Sequence, residues 1–230
     1  MLSRVALIQS LLDRCDNPTY LEVGVNVGLT FLNIDASLKI GVDPQFLFDW
    51  RQQRSQSTRL YETTSDCYFG SMAAGHDLFD VIFLDGLHTF EQTLRDLINA
   101  IDRLKPRGIV VIDDVLPNSY HASLPDIGIA KSVRTFLKAD HDPSWMGDVF
   151  KLVFFIDTFF QQYSFATVTE SHGQLVMWKS PRSQIVERSV LELAQLQFSD
   201  VITKQKIFNI KPFDEILKDI AASNVDRAQC

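Results

Sequence analysis

The sequence has few of the residues that build disulfide or zinc frameworks. Its three cysteines, Cys15, Cys67 and Cys230, are odd in number, far apart and without a Cys-x-x-Cys pair. Neither framework is expected, and a reducing cytoplasm is the expected location. Runs of Lys or Arg are missing too, and at a net charge of −7 with a pI near 5.2 no stretch is suited to neutralising a phosphate backbone. Nucleic acid is not an expected partner. The most apolar stretch, 152–160, is broken by Asp157 and falls well short of the roughly 20 residues that cross a bilayer. No membrane span is expected.

What is present is ordinary globular material: 230 residues, 46% hydrophobic and 22% charged. That is enough for one large domain, or one domain with a terminal extension, burying roughly 70–75% of its unfolded surface. Leu2, Val5, Ile8 and Leu12 recur at helical spacing before Asp13 and Arg14, so residues 1–17 read as an amphipathic helix and its end, not as a signal peptide. Short apolar runs at 20–24, 40–43, 81–85 and 109–113 each close on Gly or Asp, with longer helix-like segments between them. This is the rhythm of a parallel sheet with crossover helices, an α/β, Rossmann-like doubly wound fold. The clearest helix is expected at 90–105, opened by a Thr89/Gln92 capping box and stopped at 106–108. Residues 164–169 and 174–179 read as a closing antiparallel hairpin, and 51–59 as a solvated helix end or loop. Beyond 180 the pattern becomes amphipathic helix at Ile185, Val190, Leu191, Leu193 and Leu196 and again at 212–222. Residues 1–180 are therefore expected as the main domain and 181–230 as a helical extension.

Gly24 and Gly28 stand four apart directly after the first strand and before an expected helix. Glycines there let the backbone turn tightly and approach a ligand, with helix N–H groups pointing toward it. A nicotinamide-dinucleotide fingerprint needs glycine where this chain has Asn26 and Leu29. A pyrophosphate cradle, and with it an NAD-dependent oxidoreductase, is disfavoured. Asp43, 19 residues after Gly24, ends the second strand, where an acid accepts hydrogen bonds from both ribose hydroxyls. The same Asp43-Pro44 pair is also a plain helix cap.

Glu22-Val-Gly24-Val-Asn-Val-Gly28 with Asp43 resembles motif I and the following acidic position of the class I S-adenosylmethionine-dependent methyltransferases. The resemblance continues through Thr63-Thr-Ser65-Asp66-Cys-Tyr-Phe69, Phe79-Asp-Val-Ile-Phe-Leu-Asp85-Gly-Leu-His88, Ile109-Val-Val-Ile-Asp113-Asp114 and Trp145-Met-Gly-Asp-Val-Phe-Lys151. It spans roughly residues 18–180 and is similar to the small-molecule O-methyltransferase branch that includes macrolide and aminocoumarin sugar methyltransferases of natural product biosynthesis. It implies a seven-stranded sheet with an antiparallel last strand. S-adenosyl-L-methionine would be held by Glu22, Gly24, Gly28, Asp43, Ser65, Asp66 and Asp85, with Asp66 at the adenine edge.

Asp85 ends one strand, and Asp113 with Asp114 ends the strand reached after one crossover helix. Right-handed crossover brings them to one rim of the sheet. Three converging carboxylates call for a cation or hydrogen-bond donors, and oxygen ligands suit Mg²⁺. Loop capping by Asp113 or Asp114, and bonds from Asp85 to the backbone around Gly86, are the structural readings of the same residues. By resemblance, metal-dependent members hold their ion with acids at the positions of Asp85, Asp113 and Asp114. His88, three residues past Asp85, is the candidate general base, since imidazole titrates in the physiological range. A helix cap or a partner of Asp85 is the alternative for it. Catechol-type enzymes carry a lysine base at this offset, and sugar-type enzymes an aspartate one residue earlier, where this chain has Leu87.

The expected activity is transfer of a methyl group to a hydroxyl of a small molecule or sugar-bearing metabolite, catalysed by His88 and Asp85. A cofactor-binding but inactive subunit or scaffold is the alternative. Residues 117–145 are expected as a substrate lid carrying His121, His141 and Trp145. Asp140-His-Asp142 reads as a solvated turn, Asp148 and Lys151 as a charge pair, and Phe154, Phe155, Phe159 and Phe160 as core or as a homodimer contact.

Overall fold

A computed structural model describes residues 1–72, 77–139, 141–184 and 186–226. The buried apolar runs become strands β1 (Thr19–Val23), β2 (Leu38–Asp43), β3 (Thr58–Glu62), β4 (Phe79–Leu84) and β5 (Leu104–Ile112). The hairpin becomes β6 (Tyr163–Val168) and β7 (Leu175–Lys179), and a short β8 (Ile210–Lys211) follows. All lie in one sheet of order β3-β2-β1-β4-β5-β7-β6-β8. The β1–β5 pairings are parallel, and β7 runs antiparallel to both β5 and β6. The sheet is the mostly parallel, doubly wound one expected, with eight strands among the described residues instead of seven because Ile210–Lys211 pairs with Thr167 and Val168.

Both faces are covered, which explains the continuous rather than alternating hydrophobicity of the central strands. On β4, Ile82 and Leu84 pack with Leu97 and Ala100 of α3 (Phe90–Ile101) and with Leu152, Val153 and Ile156 of α5 (Phe150–Phe159). Val81 and Phe83 face the other way, toward Leu7, Ile8, Leu11 and Leu12 of α1 (Arg4–Leu12) and Phe213, Ile216 and Ile220 of α8 (Phe213–Asp226). The C-terminal segment thus packs on the same sheet as the N-terminal helix. Between them lie α6 (Val190–Ala194) and α7 (Phe198–Thr203). Ile185 lies outside the described residues.

Three local expectations fail for identifiable reasons. The helix expected after Gly28 is a single 3-10 turn, Phe31–Asn33. Lys39 Nζ takes the carbonyls of Phe31 and Ile34 (3.0 and 2.9 Å), and Phe31 is buried against Tyr20, so the turn ends where a helix would elongate. Residues 58 and 59, read as loop, open strand β3 beside β2. The helix at 90 ends at Ile101, and Pro106 and Gly108 lie inside β5, where the register shifts between Phe79 and Val81. A side chain at Gly108 would meet the Phe79 carbonyl at 2.8 Å, so glycine serves close strand approach there and not a helix stop. No helix of the described residues is long and apolar enough to cross a membrane.

Candidate active site

The strand order reverses between β1 and β4, and a crevice opens at the carboxyl ends of the strands there, as open α/β sheets dictate. It holds about 400 Å³ and is lined by Gly24, Asn26, Asp43, Ser65, Asp66, Asp85 and His88, among others. Gly24 sits at φ +91°, and a Cβ on it would lie 1.9 Å from the Asp85 carbonyl oxygen. Only glycine lets the β1 and β4 loops touch. Gly28, at φ +80°, turns against Leu32 and Phe48 instead and does not line the crevice.

Asp43 forms one wall. Its Oδ2 accepts the Asn26 N–H and its Oδ1 the Gln45 N–H, both at 2.8 Å. Backbone donors thus fix the carboxylate, and each oxygen keeps a further acceptor site for a ligand hydroxyl. Ser65 and Asp66 follow β3 in α2 (Ser65–Cys67), tied to α3 by Gln92 Nε2, which donates to Ser65 Oγ (3.1 Å), Asp66 Oδ1 (3.3 Å) and Asp96 Oδ1 (3.1 Å). The Thr89/Gln92 capping box therefore does not form. The Phe90 N–H donates to Asp148 Oδ1 (2.8 Å), and Asp148 pairs with Lys151 at 2.9 Å. Glu22 stands apart from the crevice: it is buried on β1 and accepts the Tyr20 hydroxyl at 2.6 Å. Burial pushes its carboxyl up to about 8.

The opposite wall carries the charge. Ligand atoms of Asp85, His88 and Asp114 lie within 4.8 Å of one another. His88 Nδ1 is 2.7 Å from Asp114 Oδ2, and the imidazole meets the Trp145 ring edge to face at 4.9 Å. Asp114 adopts φ +61°, a left-handed conformation that aspartate tolerates and that often marks a functional turn. Behind it, buried Asp113 accepts from Gln174 Nε2 (2.5 Å) and from the Asp114 N–H (3.0 Å) through Oδ1. Arg4 Nε lies 2.5 Å from Asp113 Oδ2, a close ion pair. Burial, then the neighbouring Asp113, lift the Asp85 carboxyl well above its ordinary value although Arg4 pulls it down. Asp113 is lifted to about 6 by burial and by Asp114. The wall is short of positive charge, and two carboxylates beside an imidazole fit a divalent cation with water filling the other positions.

Asp85, Asp113 and Asp114, expected at one rim, lie together there, with His88 on Asp114 and with Asp43 and Asp66 lining the adjoining crevice. Arg4 and Gln174 were not foreseen as partners of that rim, whereas Trp145, expected in the lid, meets His88 there. Gly147 of the Trp145 segment is recognisable in retrospect, because at φ +63° a Cβ would meet the His88 carbonyl at 1.6 Å. His121 is instead locked in its own loop by Ser119 Oγ (3.3 Å) and the Asp142 carbonyl (3.2 Å), and Asp140 lies outside the described residues.

The sheet order, with its crevice at the β1/β4 reversal, is that of a Rossmann-like fold. Residues 21–115 match the family model described as a methyltransferase domain. A search of curated proteins finds no significant match to the chain. Among solved structures the chain is similar to a Staphylococcus aureus protein assigned as a caffeoyl-CoA O-methyltransferase, at 18% identity, 78% and 85% coverage of the two chains and a TM-score of 0.51. Cofactor-bound Rv0187 from MTB gives 13% identity, 79% and 84% coverage and a TM-score of 0.52. An O-methyltransferase from Bacillus cereus in complex with SAH gives 12%, 78% and 82%, and 0.50. At these identities the likeness is one of fold.

Proposed function

We propose that the chain is an O-methyltransferase that methylates a hydroxyl of a small molecule or sugar-bearing metabolite, assisted by Mg²⁺. The observation that carries this reading is the pairing, across one crevice, of a backbone-held acid suited to a ribose, Asp43, with an oriented imidazole, His88 on Asp114. S-Adenosylmethionine supplies a methyl group already activated on a sulfonium sulfur, so the protein chiefly aligns the acceptor behind it and excludes water. Asp43 grips the ribose hydroxyls, Asp66 borders the adenine, and the touching loops at Gly24 and Asp85 form the floor.

At the acceptor end, Asp114 takes the Nδ1–H of His88 and leaves Nε2 as the free acceptor, the logic by which a carboxylate fixes an imidazole tautomer. His88 Nε2 then accepts the hydroxyl proton as the oxygen–methyl bond forms and the sulfur–methyl bond breaks. Asp85 and Asp114 would hold Mg²⁺, which supplies Lewis acidity that makes a hydroxyl more acidic. Leu87, exposed at the crevice mouth, performs no proton transfer, so the base role rests on His88. Within this reading residues 1–180 are the catalytic unit and 181–230 an extension that completes the sheet edge.

Calorimetric titration tests the cofactor. Binding of the demethylated product, S-adenosylhomocysteine, in the micromolar range with no binding of NAD is expected, and the reverse overturns the reading. Chelation should abolish turnover and Mg²⁺ restore it. Product binding with no methylation across a broad panel of hydroxylated acceptors would favour an inactive cofactor-binding subunit.

A further inference from the structure

Two charged side chains at the rim, Arg4 and Asp113, have no part in the chemistry above, and they pair with each other. Arg4, on the first turn of α1, reaches Asp113 Oδ2 at 2.5 Å through Nε and Asp85 Oδ2 at 3.8 Å through Nη1. Asp113 Oδ2 is buried and has no directed donor, so the guanidinium is its charge compensation. The helix carrying Arg4 is firmly seated. Leu7, Ile8, Leu11 and Leu12 are buried against the sheet. Ser3 Oγ caps the Ala6 N–H at 3.1 Å, and the Leu2 N–H donates to the Glu170 carbonyl at 2.7 Å. The Glu170 carboxylate in turn accepts the Phe213 N–H that opens α8, so N-terminus, hairpin and C-terminal helix are clamped together. Of the three rim carboxylates, Asp113 therefore faces a permanently placed cation, Asp114 faces His88, and Asp85 lies between.

We propose that Arg4 is a positioning residue that withdraws Asp113 from the cation seat, leaving Asp85 and Asp114 as its carboxylate ligands, and that its fixed charge competes with a divalent cation for the same field. This rests on the methyltransferase reading and specifies its acceptor end. Arg4 and Asp113 then act as a neutral pair. Removing Asp113 alone leaves a bare guanidinium beside the seat, and removing both leaves the charge balance unchanged.

Mn²⁺ binding to the full chain at pH 8, read by the electron spin resonance of the free ion, separates this from a seat in which Asp113 is a ligand. Asp113→Asn should weaken Mn²⁺ about tenfold, a Coulomb-scale effect of an unpaired cation. Adding Arg4→Gln should restore affinity to within about threefold of the parent. Asp114→Asn should weaken Mn²⁺ about tenfold or more and gain far less from Arg4→Gln, because a ligand has gone. Thermal melts confirm that each variant is folded, and the neutral double variant keeps the test open where a single substitution does not fold. A double variant no tighter than Asp113→Asn, or Mn²⁺ bound by none of the proteins, overturns the role of Arg4. S-Adenosylhomocysteine titrated in parallel distinguishes this from failure of the cofactor reading, which Mn²⁺ does not report.

Discussion

The two walls of the crevice handle negative charge in opposite ways. At the Asp43 wall a single carboxylate is held by two backbone N–H groups at 2.8 Å, so the folded chain itself supplies its partners. At the other wall Asp85, Asp113 and Asp114 crowd one rim, and burial with mutual repulsion lifts Asp85 well above its ordinary value and Asp113 to about 6. The first arrangement is complete without a ligand and suits recognition of a neutral ribose. The second carries an unmet demand for positive charge, which suits a site where an acceptor proton and a cation are handled. Arg4 meets part of that demand from one side, and His88 lies against Asp114 from another.

Substitutions on each wall should therefore separate turnover from binding. His88→Ala carries the largest expected effect, a fall in turnover of about 10²–10⁴-fold with affinity for S-adenosylhomocysteine nearly intact. Steady-state kinetics beside calorimetry checks it, and an unchanged rate removes His88 as the base. Gly24→Ala should weaken product binding by about a hundredfold, since the new methyl meets the Asp85 carbonyl at 1.9 Å and strains a φ of +91°. Asp43→Ala should cost about tenfold in product affinity, the scale of one charge-assisted hydrogen bond, while leaving the acidic wall and any Mn²⁺ binding untouched. Equal loss of Mn²⁺ affinity in Asp43→Ala would erase the distinction between the walls.

Most of the fold was legible because strands buried on both faces announce themselves: the runs at 20, 40, 81 and 109 needed only local hydrophobicity. Strand β3 was not, since its inner residues Thr58 and Leu60 alternate with Arg59 and Tyr61 after a polar stretch. Asp43, Asp85, His88 and Asp114 were legible because each stands at a strand end, a position set by a few neighbours in sequence. Arg4 was invisible for the opposite reason. Its partners lie some 80 and 109 residues away, and only the docking of α1 on the sheet brings them together. The missing helix after Gly28 shows the same limit, because one long-range side chain, Lys39, decides where that turn stops.

The smallest expected effect concerns stability and asks how far the charge demand of the acidic wall extends into the core. Glu22 lies behind Asp85, fully buried with Tyr20, and its carboxyl is pushed up to about 8 chiefly by burial. A group whose folded pKa is raised stabilises the fold while protonated. That contribution is complete below the ordinary carboxyl range near 4.5 and is lost as pH rises through about 8. Asp113 adds a loss of the same sign as pH rises through about 6. The melting temperature of the ligand-free protein should accordingly fall between pH 5 and pH 8.5. Glu22→Gln, which keeps a hydrogen-bonding partner for Tyr20, should remove the upper part of that fall and gain on the order of 2 kcal/mol at pH 8. Product affinity should stay the same, since Glu22 does not line the crevice. Melts across pH decide it: an unchanged slope in Glu22→Gln would confine the charge demand to the rim and make Asp85 and Asp113 its sole source.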